Sequence, residues 1–168
     1  MDRPKINVKL SLFDQIVEIL SVVALLVLMI IPIIYFGQLP DRIPSHFDFS
    51  GNPDSYLGKG SIWILPIVGL VLYAALTILN RFPHKFNYPA KIAPENAERL
   101  YGVTTQMMRV LKVIILGLFN YMNYQVINVA LNHSEGLGGY FVWVYLVFIL
   151  GVIGVYIYKM SSLKKKAA

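Results

Sequence analysis

Four uninterrupted apolar runs, at 19–36, 62–79, 113–131 and 140–158, decide what this chain can fold into. Each has 18 or 19 residues, and none contains Asp, Glu, Lys or Arg. As helices rising 1.5 Å per residue they reach about 27 Å, close to the hydrocarbon thickness of a bilayer. A soluble domain can bury one such run but hardly four in 168 residues. Hydrophobic residues make up 57% and charged residues 14%, with a mean hydropathy of +0.60. The expectation is an all-α integral membrane protein. It is a single four-helix domain over 1–168 with connections at 37–61, 80–112 and 132–139. The first run is too long for a signal peptide and ends without a small-x-small cleavage pattern, so it is expected to stay as a span.

Basic residues give the predicted direction of insertion. Arg3, Lys5 and Lys9 precede the first run. Arg81, Lys85, Lys91, Arg99, Arg109 and Lys112 lie between the second and third, and Lys159, Lys164, Lys165 and Lys166 close the chain. The opposite side has only Arg42 and Lys59. The positive-inside rule therefore predicts a cell-membrane protein with both termini cytoplasmic and the 37–61 loop outside. Tyr35, Trp63, Tyr140 and Trp143 then fall at the outer interface as belt aromatics. The formal charge of +6 does not point to nucleic acid, because the basic residues flank apolar spans and form no single patch. The chain has no cysteine, which removes disulfides, thiolate metal sites and cysteine nucleophiles.

The connections carry local signals. Ser11 followed by Asp14 resembles a capping box that opens the first helix. Pro83 and Pro89 make the start of the 80–112 segment irregular, whereas Pro94, Glu95 and Glu98 suit a helix N-terminus that runs on into the third span. The basic residues of this segment are expected to meet anionic headgroups. Pro32 is expected to kink the first span, and Pro66 either kinks the second or sits in its first turns.

The 39–60 loop, LPDRIPSHFDFSGNPDSYLGKG, is the richest in chemistry. Pro40 and Pro44 impose extended or turn backbone, and Gly51-Asn52-Pro53-Asp54 reads as a turn. Gly58 and Gly60 allow a tight return, and Ser61 is placed to cap the second helix. In an extended strand His46 and Asp48 share one face, with Phe47 and Phe49 on the other. His46 is expected to cap loop backbone or to pair with Asp41 or Asp48, and Arg42 and Asp54 to make ion pairs within the loop. His46, Asp48 and Asp54 are weak candidates for a metal site, since no ligand spacing of a known kind connects them.

The third run carries Asn120, Asn123, Gln125 and Asn128 with Tyr121 and Tyr124. Asn120, Tyr124 and Asn128 are four apart and share a helix face. Amides are costly against lipid, so they should face protein or water. Two readings fit: the lining of an outward-open polar vestibule roofed by the 39–60 loop, or hydrogen-bonded glue between helices. The candidate ligand-binding set is thus Asp41, Arg42, His46, Phe47, Asp48, Asp54, Asn120, Asn123, Tyr124 and Asn128.

The pattern LP-x-x-IP-x-HF-x-x-x-G-x-PD is carried by Leu39, Pro40, Ile43, Pro44, His46, Phe47, Gly51, Pro53 and Asp54, with Lys59 before the second span. It resembles the N-terminal membrane domain, of unknown function, of the SdpI-type immunity proteins, and with FPHKFNYPAKIAPENAERLY the chain looks like a short bacterial version. The resemblance implies contact with a secreted peptide, because SdpI-type proteins protect against one. The longer members carry a second membrane module, so the domain rather than immunity itself is what the resemblance implies.

Three functions are compatible with these residues. The first is recognition of an extracellular peptide or small ligand through the outer loop, in an immunity-like or signalling role. The second is a transport component with a polar vestibule, which four uncharged spans would support only as a homo-oligomer. The third is a metal-dependent membrane enzyme. No nucleophile elbow, phosphate loop or dinucleotide fingerprint is present, so a non-catalytic role is expected, with no cofactor indicated and the bilayer as the first partner.

Overall fold

The computed structural model describes residues 3–88 and 91–165. Pro89 and Lys166, and the side chains of Lys164 and Lys165, lie outside the described residues. Four helices dominate: α1 (Leu12–Tyr35), α2 (Ile64–Leu79), α3 (Pro94–Ala130) and α4 (Phe141–Lys165). A two-stranded antiparallel hairpin, β1 (Arg42–Phe47) and β2 (Pro53–Gly58), stands between α1 and α2. Short 3₁₀ turns at Lys59–Trp63 and Pro83–Lys85 flank α2. Helices α1, α3 and α4, and α2 together with the 3₁₀ turn that precedes it, are long and apolar enough to cross a membrane, and the chain is a multi-pass membrane protein.

Each expected span lies within a helix, apart from the terminal Phe36, Leu131 and Tyr140 and the start of the second run, Ile62 and Trp63, which belongs to a 3₁₀ turn. The helices extend beyond the apolar runs. The first begins at Leu12 and the third at Pro94, so charged residues outside the expected spans enter the bundle. The starts follow their local chemistry. Ser11 and Asp14 form the capping box, with Ser11 Oγ accepting from the Asp14 amide at 3.1 Å and Asp14 Oδ2 accepting from the Ser11 amide at 2.9 Å. Pro94 occupies the first turn of α3, and Asn96 Oδ1 takes the Ala93 amide at 2.9 Å. Pro66 lies in the first turn of α2, where its missing N–H costs no helical bond. Ser61 does not cap α2: it falls inside the 3₁₀ turn, and no side chain caps that helix.

The long α3 is the central element and packs on α1, α2 and α4. The packed stripe of α1 is Asp14, Val17, Ser21, Leu28 and Pro32, spaced by three or four residues or their sum. The opposite faces expose Ile19, Leu26 and Ile33, as a lipid-facing surface must. Between lipid-exposed helices the hydrophobic effect adds little, so close packing and hydrogen bonds hold the bundle together. Gly69 illustrates the first: a Cβ there would stand 2.7 Å from Leu28 Cδ2 and 3.5 Å from Leu116 Cδ2, so its absence lets α2 approach both α1 and α3. Asn120 illustrates the second, its Nδ2 donating to the α1 carbonyl of Ala24 at 2.8 Å. By contrast, α4 packs chiefly on α3 and leaves a gap facing α2.

Candidate functional site

The hairpin is built by its turn. Asp48 Oδ1 accepts the amides of Ser50 and Asn52, each at 2.8 Å, and Gly51 takes φ +84°, a region that favours glycine. These amide bonds hold the Asp48 carboxyl below its ordinary pKa; the Asn52 amide is the largest cause. The turn then docks on the α3–α4 connection, with Leu137 N–H donating to Gly51 O at 2.8 Å. A Cβ on Gly136 would collide with that same Gly51 oxygen, and one on Gly51 would lie 2.9 Å from Gly138 O. The connection is fixed to α3 by Tyr121 Oη donating to Leu137 O at 2.8 Å and Gln125 Nε2 to Gly136 O at 3.2 Å. Tyr121 also stacks on Phe141 of α4, with ring centroids 4.1 Å apart.

Register irregularities on either side of His46 break the simple alternation expected of β1. Asp48 falls beyond the end of β1, in the turn, so it does not continue a strand face with His46. His46 Nδ1 meets Asp54 Oδ1 at 2.6 Å across the strands, which corrects the expected Asp41 or Asp48 partner. Arg42 Nη2 donates to the Tyr56 carbonyl at 3.1 Å, so its recorded partner is backbone and Asp54 is taken by His46. Asp41 contributes its carbonyl, which accepts the Lys59 amide at 2.9 Å. Among the described residues no three His, Asp or Glu side chains converge as metal ligands would.

Beneath the hairpin, in the gap between α2 and α4, lies a cavity of about 570 Å³. His46, Phe47 and Phe49 of the loop line its roof, α2 and α4 supply Ile64 and Leu146 as walls, and α3 supplies Asn123 and Val126 as floor. The groove is largely apolar, unlike the polar vestibule that is one of the two readings of the amide stripe. Only one of the four amides reaches it. Asn120 bonds α1, Asn128 Nδ2 meets Gln125 Oε1 at 3.4 Å, and Tyr124 is exposed on the outside of the bundle. Asn123 is 1% exposed, and among the described residues its Nδ2 has no hydrogen-bond partner; the Oγ of Ser61, which also lines the cavity, has none either. Two bare polar atoms in an apolar groove are what a ligand's polar group would satisfy.

The opposite end of the bundle holds a second constellation that the spans, drawn to exclude charge, left aside. Asp14 and Glu18 of α1 face Arg109 and Lys112 of α3. Arg109 lies 3.6 Å from Asp14 and 3.3 Å from Glu18, and Lys112 Nζ lies 2.7 Å from Glu18 Oε2. Thr77 of α2 accepts from Lys112 at 3.0 Å, and the Tyr73 ring centroid is 4.5 Å from the ammonium. Gln106 of α3 and Tyr156 of α4 extend the network from Asp14. The sequence signal was there: acids four apart on α1 and bases three apart on α3 each occupy one helix face.

Residues 23–70 match the domain of unknown function DUF1648. That stretch runs from within α1 through the hairpin into the first half of α2, so it contains the roof and one wall of the groove. An uncharacterized protein of Archaeoglobus fulgidus is 25% identical over 142 residues, covering 76% of this chain and 78% of the relative. No solved structure matches the chain. The likeness is therefore to a DUF1648 domain over residues 23–70, less than a third of the chain, and to an archaeal relative over most of its length.

Proposed function

We propose that this protein is a membrane recognition module. The hairpin end faces outward, both termini are cytoplasmic, and the groove under the hairpin receives an amphipathic peptide or small ligand. The observation that carries this reading is the buried amide of Asn123, unpartnered at the floor of a cavity of about 570 Å³. A peptide carbonyl or hydroxyl would satisfy it while apolar side chains fill the walls. Asn123 and Phe47 are then binding residues, with His46 and Asp54 at the rim. Asp48 and Arg42 shape the loop. Support for the orientation comes from the basic flanks. An immunity-like role is the specific form suggested by the loop pattern.

The test is protection. Cells sensitive to a secreted amphipathic toxin peptide would express the protein, and survival and peptide retention would be measured. Protection that is lost with Asn123→Leu or the cavity-filling Val126→Phe, at unchanged expression, supports the reading. Neither protection nor retained peptide with the native chain refutes it. A transport role is the second reading, favoured by the charge network that ties all four helices. Solute flux in liposomes distinguishes it.

A further inference from the structure

We propose that the charge-rich end of the bundle binds a phospholipid headgroup that carries its own N–H or O–H donor. A cavity of about 510 Å³ opens there, a size typical of small-molecule sites. It lies between the segment before α1, the end of α2 and the middle of α3. Lys5, Arg81 and Arg109 line it with one carboxylate, Glu18, so the described lining is net cationic. Phosphate is the anion such a set would take at headgroup depth.

Two observations go beyond charge. Arg109 is 7% exposed at the cavity's floor, and among the described residues its Nε, although 3.3 Å from Glu18, makes no hydrogen bond. Asn80 also lines the cavity; its Nδ2 donates to Thr105 O at 3.4 Å, while its buried Oδ1 accepts nothing among the described residues. The site therefore offers cations to a phosphate and a bare acceptor to a donor. Ethanolamine and glycerol headgroups supply that donor, and choline has none. Apolar Leu10 and Phe82 line the same cavity, 46% and 41% exposed, where acyl chains would leave it. This last feature favours a lipid over a soluble phosphate ester.

Native mass spectrometry of the delipidated full chain tests the proposal, with short-chain phosphatidylethanolamine, phosphatidylglycerol and phosphatidylcholine as probes and phosphoethanolamine as the soluble arm. The first two lipids should bind about tenfold more tightly than phosphatidylcholine, the worth of one hydrogen bond. Lys5→Gln with Arg81→Gln should weaken all three lipids. Both side chains are on the surface, and an unchanged helical circular dichroism spectrum would show that the variant folds. Asn80→Ala should erase the preference over phosphatidylcholine. Equal binding of the three lipids overturns the donor assignment, and an unaffected double variant overturns the site. Phosphoethanolamine binding as tightly as its lipid overturns the lipid assignment.

Discussion

Replacing Lys112 by methionine tests the internal charge network most sharply. The ammonium is 0% exposed, and its partners are Glu18 at 2.7 Å, Thr77 at 3.0 Å and the ring of Tyr73. Asp14, Glu18, Arg109 and Lys112 balance as two acids and two bases, so Lys112→Met leaves the cluster one negative charge in excess. Breaking a buried ion pair from one side costs about 3–5 kcal/mol. Glu18 keeps Arg109 at 3.3 Å, which places this variant near the lower end. Glu18→Gln should cost as much, since it strands a fully enclosed ammonium. The double variant should recover most of the loss, because a neutral pair of similar volume carries no uncompensated charge. An ordinary interhelical hydrogen bond in a bilayer is worth about 0.6–2 kcal/mol, so the single-variant losses separate charge pairing from neutral glue. Reversible unfolding in bicelles, run as a double-mutant cycle, measures the coupling. A coupling above about 2 kcal/mol is expected. Singles that add to the double within about 0.5 kcal/mol would refute the pairing.

The remaining predictions concern the hairpin half. Gly136→Ala should detach the hairpin turn from the α3–α4 connection, because the new methyl collides with Gly51 O; faster hydrogen exchange at the Leu137 amide is the readout. Asp48 has a lowered pKa in the folded loop, so its stabilising contribution is full above the ordinary 3.8 and is lost as pH falls through the folded value. Exchange at the Ser50 and Asn52 amides should therefore rise only in acid below that range, and Asp48→Asn should show the loose loop without that acid transition. Asn120→Leu should cost about 0.6–2 kcal/mol, because it removes a bond to α1. Asn123→Leu should be neutral or stabilising in the ligand-free protein, because its Nδ2 bonds nothing; a loss equal to that of Asn120 in the same bicelle assay would contradict the orphaned amide.

The helices were legible because a long apolar run without charge has one economical structure in a membrane. Their true starts at Leu12 and Pro94 were signalled by Ser11-Asp14 and by Pro94, yet spans bounded by charge stop at 19 and 113. The network formed by Asp14, Glu18, Arg109 and Lys112 was missed for that reason. These side chains are tolerable in a helix bundle only through partners on another helix, and pairing between helices is not a local property. The hairpin turn was readable in Gly51-Asn52-Pro53-Asp54. The partner of His46 was not, because the irregular register around it decides which of three carboxylates stands opposite. Helical spacing groups Asn120, Tyr124 and Asn128 on one face, but none of the three lines the groove. Which side of α3 opens onto a groove depends on where α4 stands, and that left Asn123 as the amide at the cavity floor.

A photocrosslinking experiment in whole cells addresses the recognition account most directly. A benzophenone amino acid placed at Met122, on the groove wall, is compared with one at Val147, 70% exposed on α4. The account predicts a discrete amphipathic adduct at Met122 by mass spectrometry, absent at Val147 and abolished by Asn123→Leu. The same spread of bulk phospholipids at both positions, unchanged by Asn123→Leu, would contradict it.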